Sequence, residues 1–157
     1  MGQIYITGTY PHNIDPKGRV TIPSRFRDIY SKPFTLGLNN EFSALALYPE
    51  EEMMRINAQL DKVPLSDSQA MAYVRLMRAF SFSDQRLDVQ GRLLLPPIMR
   101  EKAGLDKAIF FVGIGPYLEI WDADRFNGFV TGTQGNHEIQ QYTNDRYLSK
   151  LVSDPEG

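Results

Sequence analysis

The chain contains no cysteine. That excludes a disulfide framework and every thiolate metal site. Histidine is nearly as scarce, with only His12 and His137 among 157 residues. The zinc motif H-E-x-x-H, the nucleophile elbow G-x-S-x-G and a phosphate-binding glycine loop are all missing. No apolar run approaches the roughly 20 residues that a membrane-crossing helix needs. The opening stretch MGQIYITGTYPHNID has neither the basic region nor the apolar core of a secretory leader. A strong charge of either sign is lacking too. Seventeen Lys and Arg stand against 19 Asp and Glu, a net charge of −2, which excludes a uniformly basic nucleic-acid binder. The expectation is a soluble, cytoplasmic protein without cofactor or metal, and not an enzyme.

What the chain does have is a phrase written twice. DPKGRVTIP fills residues 15–23 and DVQGRLLLP fills residues 88–96. At the same offset of 73, Asp15 recurs as Asp88, Gly18 as Gly91, Arg19 as Arg92, Pro23 as Pro96 and Arg27 as Arg100. Further on, Leu45 meets Leu118, Leu47 meets Ile120, Tyr48 meets Trp121 and Met53 meets Phe126, with no gap. The sequence reads as two copies of one unit, near residues 10–54 and 83–127. Linking helices occupy 55–82, and a polar tail that frays out of a helix occupies 128–157. Two copies are too few for a solenoid.

Each unit has a local logic. Asp-Pro-x-Gly carries the favoured residues of a type I turn. A left-handed glycine after it makes a tight hairpin with a bulge. Val20 and Ile22 then alternate with Arg19 and Thr21, the period of a half-buried strand. Pro23 ends that strand, and Ser24 is placed to cap a short helix. PPIMREKAG repeats the design, with Gly104 as the helix stop. PFTLGL, SALALY, AIFFVGI and YLEIW read as further strands, and GIGPYLE as a hairpin turn. PEEEMMRINAQL starts a helix with three Glu at its positive end. Ser66-x-x-Gln69 predicts a capping box for the next helix. One such unit buries too little apolar surface to stand alone, so the two are expected to share one α+β core that is barrel-like.

Catalytic groupings are not found. His12 reads as a strand-edge polar residue rather than a ligand or base. Glu50, Glu51 and Glu52 are neighbours along a helix and do not face one another. Asp15 and Asp88 read as turn acceptors braced by the arginine across the hairpin, in preference to a carboxylate pair. Charge is more informative. Residues 12–32 carry five basic and two acidic side chains, whereas 119–157 carry three and seven. Lys17 corresponds to Gln90 and Arg25 to Ile98. The first copy therefore has extra cations near its turn, as a phosphate-binding surface requires. On charge, Lys17, Arg19 and Arg25 are the candidate DNA contacts, with Asp15, Gly18, Asp88 and Gly91 shaping the turns.

NIDPKGRVTIPSRFRD, LDVQGRLLLPPIMREKAGL and YLEIWD together resemble the MraZ family, over roughly residues 10–127. The resemblance implies two AbrB-like hairpin units forming a small double-psi or swapped-hairpin barrel with flanking helices. It implies a nucleoid-associated, cytoplasmic regulator of the division and cell-wall gene cluster. Such a regulator binds short direct repeats in DNA upstream of its own operon. It also implies a homo-oligomeric ring of about eight subunits. In the family the motif from Asp15 to Arg19, and from Asp88 to Arg92, is implicated in DNA contact. An oligomeric scaffold for protein partners is the alternative.

Overall fold

The computed structural model describes residues 5–148. Residues 1–4, and the end of the predicted tail from 149 onward, lie outside the described residues. The contacts divide the chain into a large unit running to Ala123 and a smaller one starting at Asp124.

Among the described residues of the large unit, eight strands form two antiparallel sheets. They are β1 (Thr9–Asn13), β2 (Arg19–Thr21), β3 (Phe34–Leu38), β4 (Leu45–Pro49), β5 (Phe82–Gln85), β6 (Arg92–Leu94), β7 (Ala108–Gly113) and β8 (Leu118–Asp122). Six of them make one sheet in the order β1-β7-β8-β4-β3-β5, and β2 pairs with β6 in the second. With helices α1 (Glu50–Leu60), α2 (Ser68–Ala79) and α3 (Pro97–Lys102), the fold is α+β.

The sheet order shows why the phrase is repeated. Each copy lends its first strand to the other copy's sheet: β1 pairs with β7, and β5 pairs with β3. The two halves meet where β4 pairs with β8. That register sets Leu45 against Ile120 and Leu47 against Leu118, with Ala46 opposite Glu119. Adding 73 to one member and subtracting it from the other turns every pair into another pair of the set. Ala46 and Glu119 therefore mark a pseudo-two-fold axis. The β2–β6 ribbon obeys the same rule about Val20 opposite Leu93.

Apolar alternation builds the core along this axis. Val20, Ile22, Leu36, Leu45, Leu47, Leu93, Leu95, Ile109, Phe111, Leu118 and Ile120 are buried in one cluster. The opposite face of β4 holds Ala46 and Tyr48 against Tyr117, with Met53 and Ile56 of α1 packed over them. A strand covered on both faces reads as a continuous apolar run rather than an alternating one, which is why SALALY shows no period. Tyr30 joins the copies at the centre. Its hydroxyl donates to the Leu47 carbonyl at 2.7 Å and accepts from the Leu118 N–H at 2.9 Å.

Two predicted caps are corrected. The helix after Pro64 is capped by Asp67, which accepts from the Ala70 N–H at 3.0 Å, and not by Ser66. A turn in which the Asp67 N–H donates to the Pro64 carbonyl fixes Asp67 at that position. Ser24 likewise lies inside a short 3-10 turn (Ser24–Phe26) whose cap is Pro23. The Gly104 stop is as expected. Gly104 has φ +63, and its N–H and that of Leu105 donate back to Glu101 and Arg100, the paired bonds of a Schellman ending.

The offset of 73 also relates α1 to α4 (Ala123–Thr133) end to end. In the smaller unit Gly135, at φ +78, interrupts the helical path. Asn136 then caps α5 (His137–Thr143) through the N–H groups of Glu138 and Ile139. One π turn follows, Asn144–Leu148.

Candidate nucleic-acid interface

Each repeated phrase folds as the sequence predicts. The Gly18 N–H donates to the Asp15 carbonyl at 2.9 Å, and the Asp15 N–H donates to the Arg19 carbonyl at 2.9 Å. Gly18 has φ +85. The Asp15 side chain fills the inside of the turn. Its Oδ1 accepts from the N–H groups of Lys17 and Arg19, both at 2.9 Å. Its Oδ2 takes the Arg19 Nε at 2.7 Å. Asp88 does the same with Gln90 and Arg92 at 2.9, 2.9 and 2.8 Å. Hydrogen bonds from the Arg19 and Arg92 backbones, with help from the guanidinium groups, hold both carboxyls below the usual carboxylate range. These aspartates are turn acceptors, and each arginine is braced through its Nε.

The ribbon then brings the two arginines together. Val20 and Leu93 point inward and are buried. On the outward face Arg19 stands opposite Leu94, and Thr21 opposite Arg92. Arg19 and Arg92, 73 residues apart in sequence, are thus diagonal neighbours at about 7–8 Å. Antiparallel pairing sends the two turns to opposite ends. From Lys17 to Gln90 the ribbon spans roughly 20 Å at about 3.4 Å per residue.

This geometry corrects the placement of Arg25. The Ile22 N–H donates to the Gly91 carbonyl, and the Leu95 N–H to the Gly18 carbonyl. So β2 runs away from its own turn and ends beside the other. Arg27, which follows it, lies at the second turn, and Arg25 lies against Tyr10 of β1, not with Lys17. An alanine Cβ at Gly91 would come 2.4 Å from the Arg27 Nε, and one at Gly18 3.3 Å from the Arg100 Nη1. Each copy's arginine presses on the other copy's glycine. The first copy's excess of positive charge in sequence is therefore shared between both ends of the ribbon in space. Arg25 is exposed, donates to the Tyr10 hydroxyl at 3.1 Å, and lies over that ring at 5.4 Å. The neighbouring 3-10 turn of three residues is too short to act as a helix dipole. Lys17 is exposed at the first tip.

Other candidates do structural work. His12 Nε2 accepts from the Thr21 N–H at 3.2 Å, tying β1 to the ribbon. Among the described residues no group of His, Asp and Glu is arranged to hold a metal, and no helix is long and apolar enough to cross a membrane. The cross-copy grip of Arg27 and Arg100 was visible in sequence only as a recurrence. Tyr10 and Leu94 gave no signal there.

The strand exchange and the paired turns define an α+β protein built from two interlocked copies of one unit. The family described as "MraZ protein, putative antitoxin-like" matches residues 5–76 and 82–145, so both copies are covered. The chain belongs to the MraZ family. It is 38% identical to a protein named "Transcriptional regulator MraZ" from Carboxydothermus hydrogenoformans, over 83% of this chain and 90% of that one. It is 37% identical to its namesake from Acetivibrio thermocellus, over 78% and 84%. The Thermoanaerobacter sp. (strain X514) relative of the same name is 35% identical over 89% and 97%.

Proposed function

We propose that the chain is a cytoplasmic transcription regulator that binds DNA through the outward face of the β2–β6 ribbon. The observation that carries this reading is the convergence of Arg19 and Arg92 on that face, with Lys17 at one end and Arg27 at the other. A two-stranded ribbon fits the major groove, which is about 12 Å wide. Ends roughly 20 Å apart then reach the flanking phosphates while the middle meets base edges. The relatives' name, transcriptional regulator, supports the same reading.

The finer picture is part of the proposal. The exchanged first strands are read as AbrB-like swapped hairpins closing a small barrel. The regulator acts on the division and cell-wall gene cluster and binds direct repeats upstream of its own operon. A nucleoid-associated ring of about eight subunits repeats the ribbon, and avidity then multiplies a weak contact by about 10²–10⁴.

The test uses Lys17→Ala, because among the described residues the Lys17 side chain braces nothing, whereas Arg19 also holds Asp15. Loss of a phosphate contact weakens binding on all sequences and lowers the salt slope by about one. Gel retardation of the chain's own upstream region across a salt series reads both. Unchanged affinity and slope for Lys17→Ala and Arg19→Ala alike, in a folded protein, refutes the ribbon as the interface.

A further inference from the structure

We infer that Leu94 and Thr21 give the ribbon a direction on DNA, by making its two halves read different bases. The inference rests on the nucleic-acid reading above. The ribbon's dyad maps Arg19 onto Arg92 and Val20 onto Leu93. An arginine braced by an aspartate stands in both halves, at 2.7 and 2.8 Å. A reader built only from these residues is its own mirror under a two-fold rotation, as the duplex is. It cannot tell one direction along the helix from the other.

On the outward face the dyad is broken at one place. Leu94, beside Arg19, replaces what would be a second Thr21 beside Arg92. Leu94 is 59% exposed, in a strand whose inward neighbours are fully buried. Its side chain leans over the first turn, where its Cδ1 would lie 3.8 Å from a Cβ at Gly18. Folding leaves this isobutyl group unburied on a polar face, beside Arg19. Such a group rewards contact with a thymine methyl, while a threonine hydroxyl can also donate to or accept from a base edge. The halves Arg19–Leu94 and Arg92–Thr21 therefore select different base pairs. The other exposed differences, Lys17 for Gln90, Pro16 for Val89 and Arg25 for Ile98, lie at or beyond the tips, where contacts go to phosphate and carry no sequence information.

Short duplexes are selected from a random library by the full-length protein. The winning word is then compared with two palindromes, each writing one of its halves twice. Wild type is expected to prefer the asymmetric word over either palindrome by about tenfold, the value of one good base contact. Leu94→Thr makes both halves alike. It is expected to bind the palindrome of the Arg92–Thr21 half at least as tightly as the original word. Thr21→Leu, the reciprocal change, should favour the other palindrome, and it guards against a folding defect in either variant. If both variants keep the wild-type preference at the wild-type margin, the inference is overturned while DNA binding stands. If wild type selects no word at all, base reading itself fails and the inference falls with it.

Discussion

Replacing Gly91 by Ala tests the grip between the two copies. Two costs can be separated. Gly91 has φ +77, and holding an L-residue in that left-handed region costs about 1–2 kcal/mol. The new Cβ would also lie 2.4 Å from the Arg27 Nε, 2.8 Å from its Cζ and 3.0 Å from its Cδ. These atoms are mid-chain, so the whole side chain must move. Arg27 then loses its bond to the Ile22 carbonyl, 3.3 Å long, worth about 1 kcal/mol. Gly18 is the control. Its φ of +85 carries the same backbone cost, but its nearest neighbour, the Arg100 Nη1, is 3.3 Å away at the free end of the side chain. Gly18→Ala should therefore cost about 1–2 kcal/mol, and Gly91→Ala about 1 kcal/mol more. Urea unfolding at one fixed protein concentration measures both. The decisive arm is the Arg27→Ala background, where the clash is gone. There Gly91→Ala should cost no more than Gly18→Ala does in wild type. Equal costs for the two glycine variants in the wild-type background, or an extra cost that persists without Arg27, would falsify the cross-copy grip.

Tyr30→Phe should destabilise the fold by about 1–3 kcal/mol, since it leaves the Leu47 carbonyl and the Leu118 N–H buried without their partner; chemical denaturation shows it, and a neutral result removes Tyr30 as a tie between copies. Glu119 is buried and its carboxyl is pushed above the ordinary range, chiefly by that burial. A raised folded-state pKa adds stability that is full below the unfolded value and lost as pH rises through the folded one. The stability of wild type relative to Glu119→Gln should therefore fall as pH climbs out of the carboxylate range, and a pH-independent difference in unfolding midpoints contradicts that.

Local chemistry was legible in the sequence, and long-range pairing was not. Asp15, Pro16 and Gly18 dictate a turn within four residues, so the turn, its aspartate bonds and the arginine brace all followed from residue types. Gly104 stopped its helix for the same reason. The caps at Ser24 and Ser66 failed by one residue. At the second helix the turn from Pro64 put Asp67 at the cap, whereas the short 3-10 turn starts at Ser24 itself and follows Pro23 without any side-chain cap bond. Nothing in TYPHN or FSDQ names β7 or β3 as its partner, because backbone ladders take any side chain. The position of Arg25 was misjudged for that reason. Any strand leaving a turn carries its followers away from it, and pairing with β6 set the followers of β2 at the ribbon's opposite end. Leu94 looked like one apolar residue of a strand until its burial could be compared with that of Leu93.

A residue on a self-pairing axis faces its own counterpart. If the two copies were separate identical chains, whatever stood at position 46 would also stand at 119. Two glutamates there would set one carboxylate against another in the same dry space. Two alanines would leave the Asn39 amide and the Trp121 indole N–H without the acceptor that Glu119 now gives them at 3.1 and 2.8 Å. Covalent linkage of the copies removes that constraint. It lets one member of the axial pair be small and the other acidic, so the carboxylate can serve groups from both halves without meeting a second carboxylate across the axis.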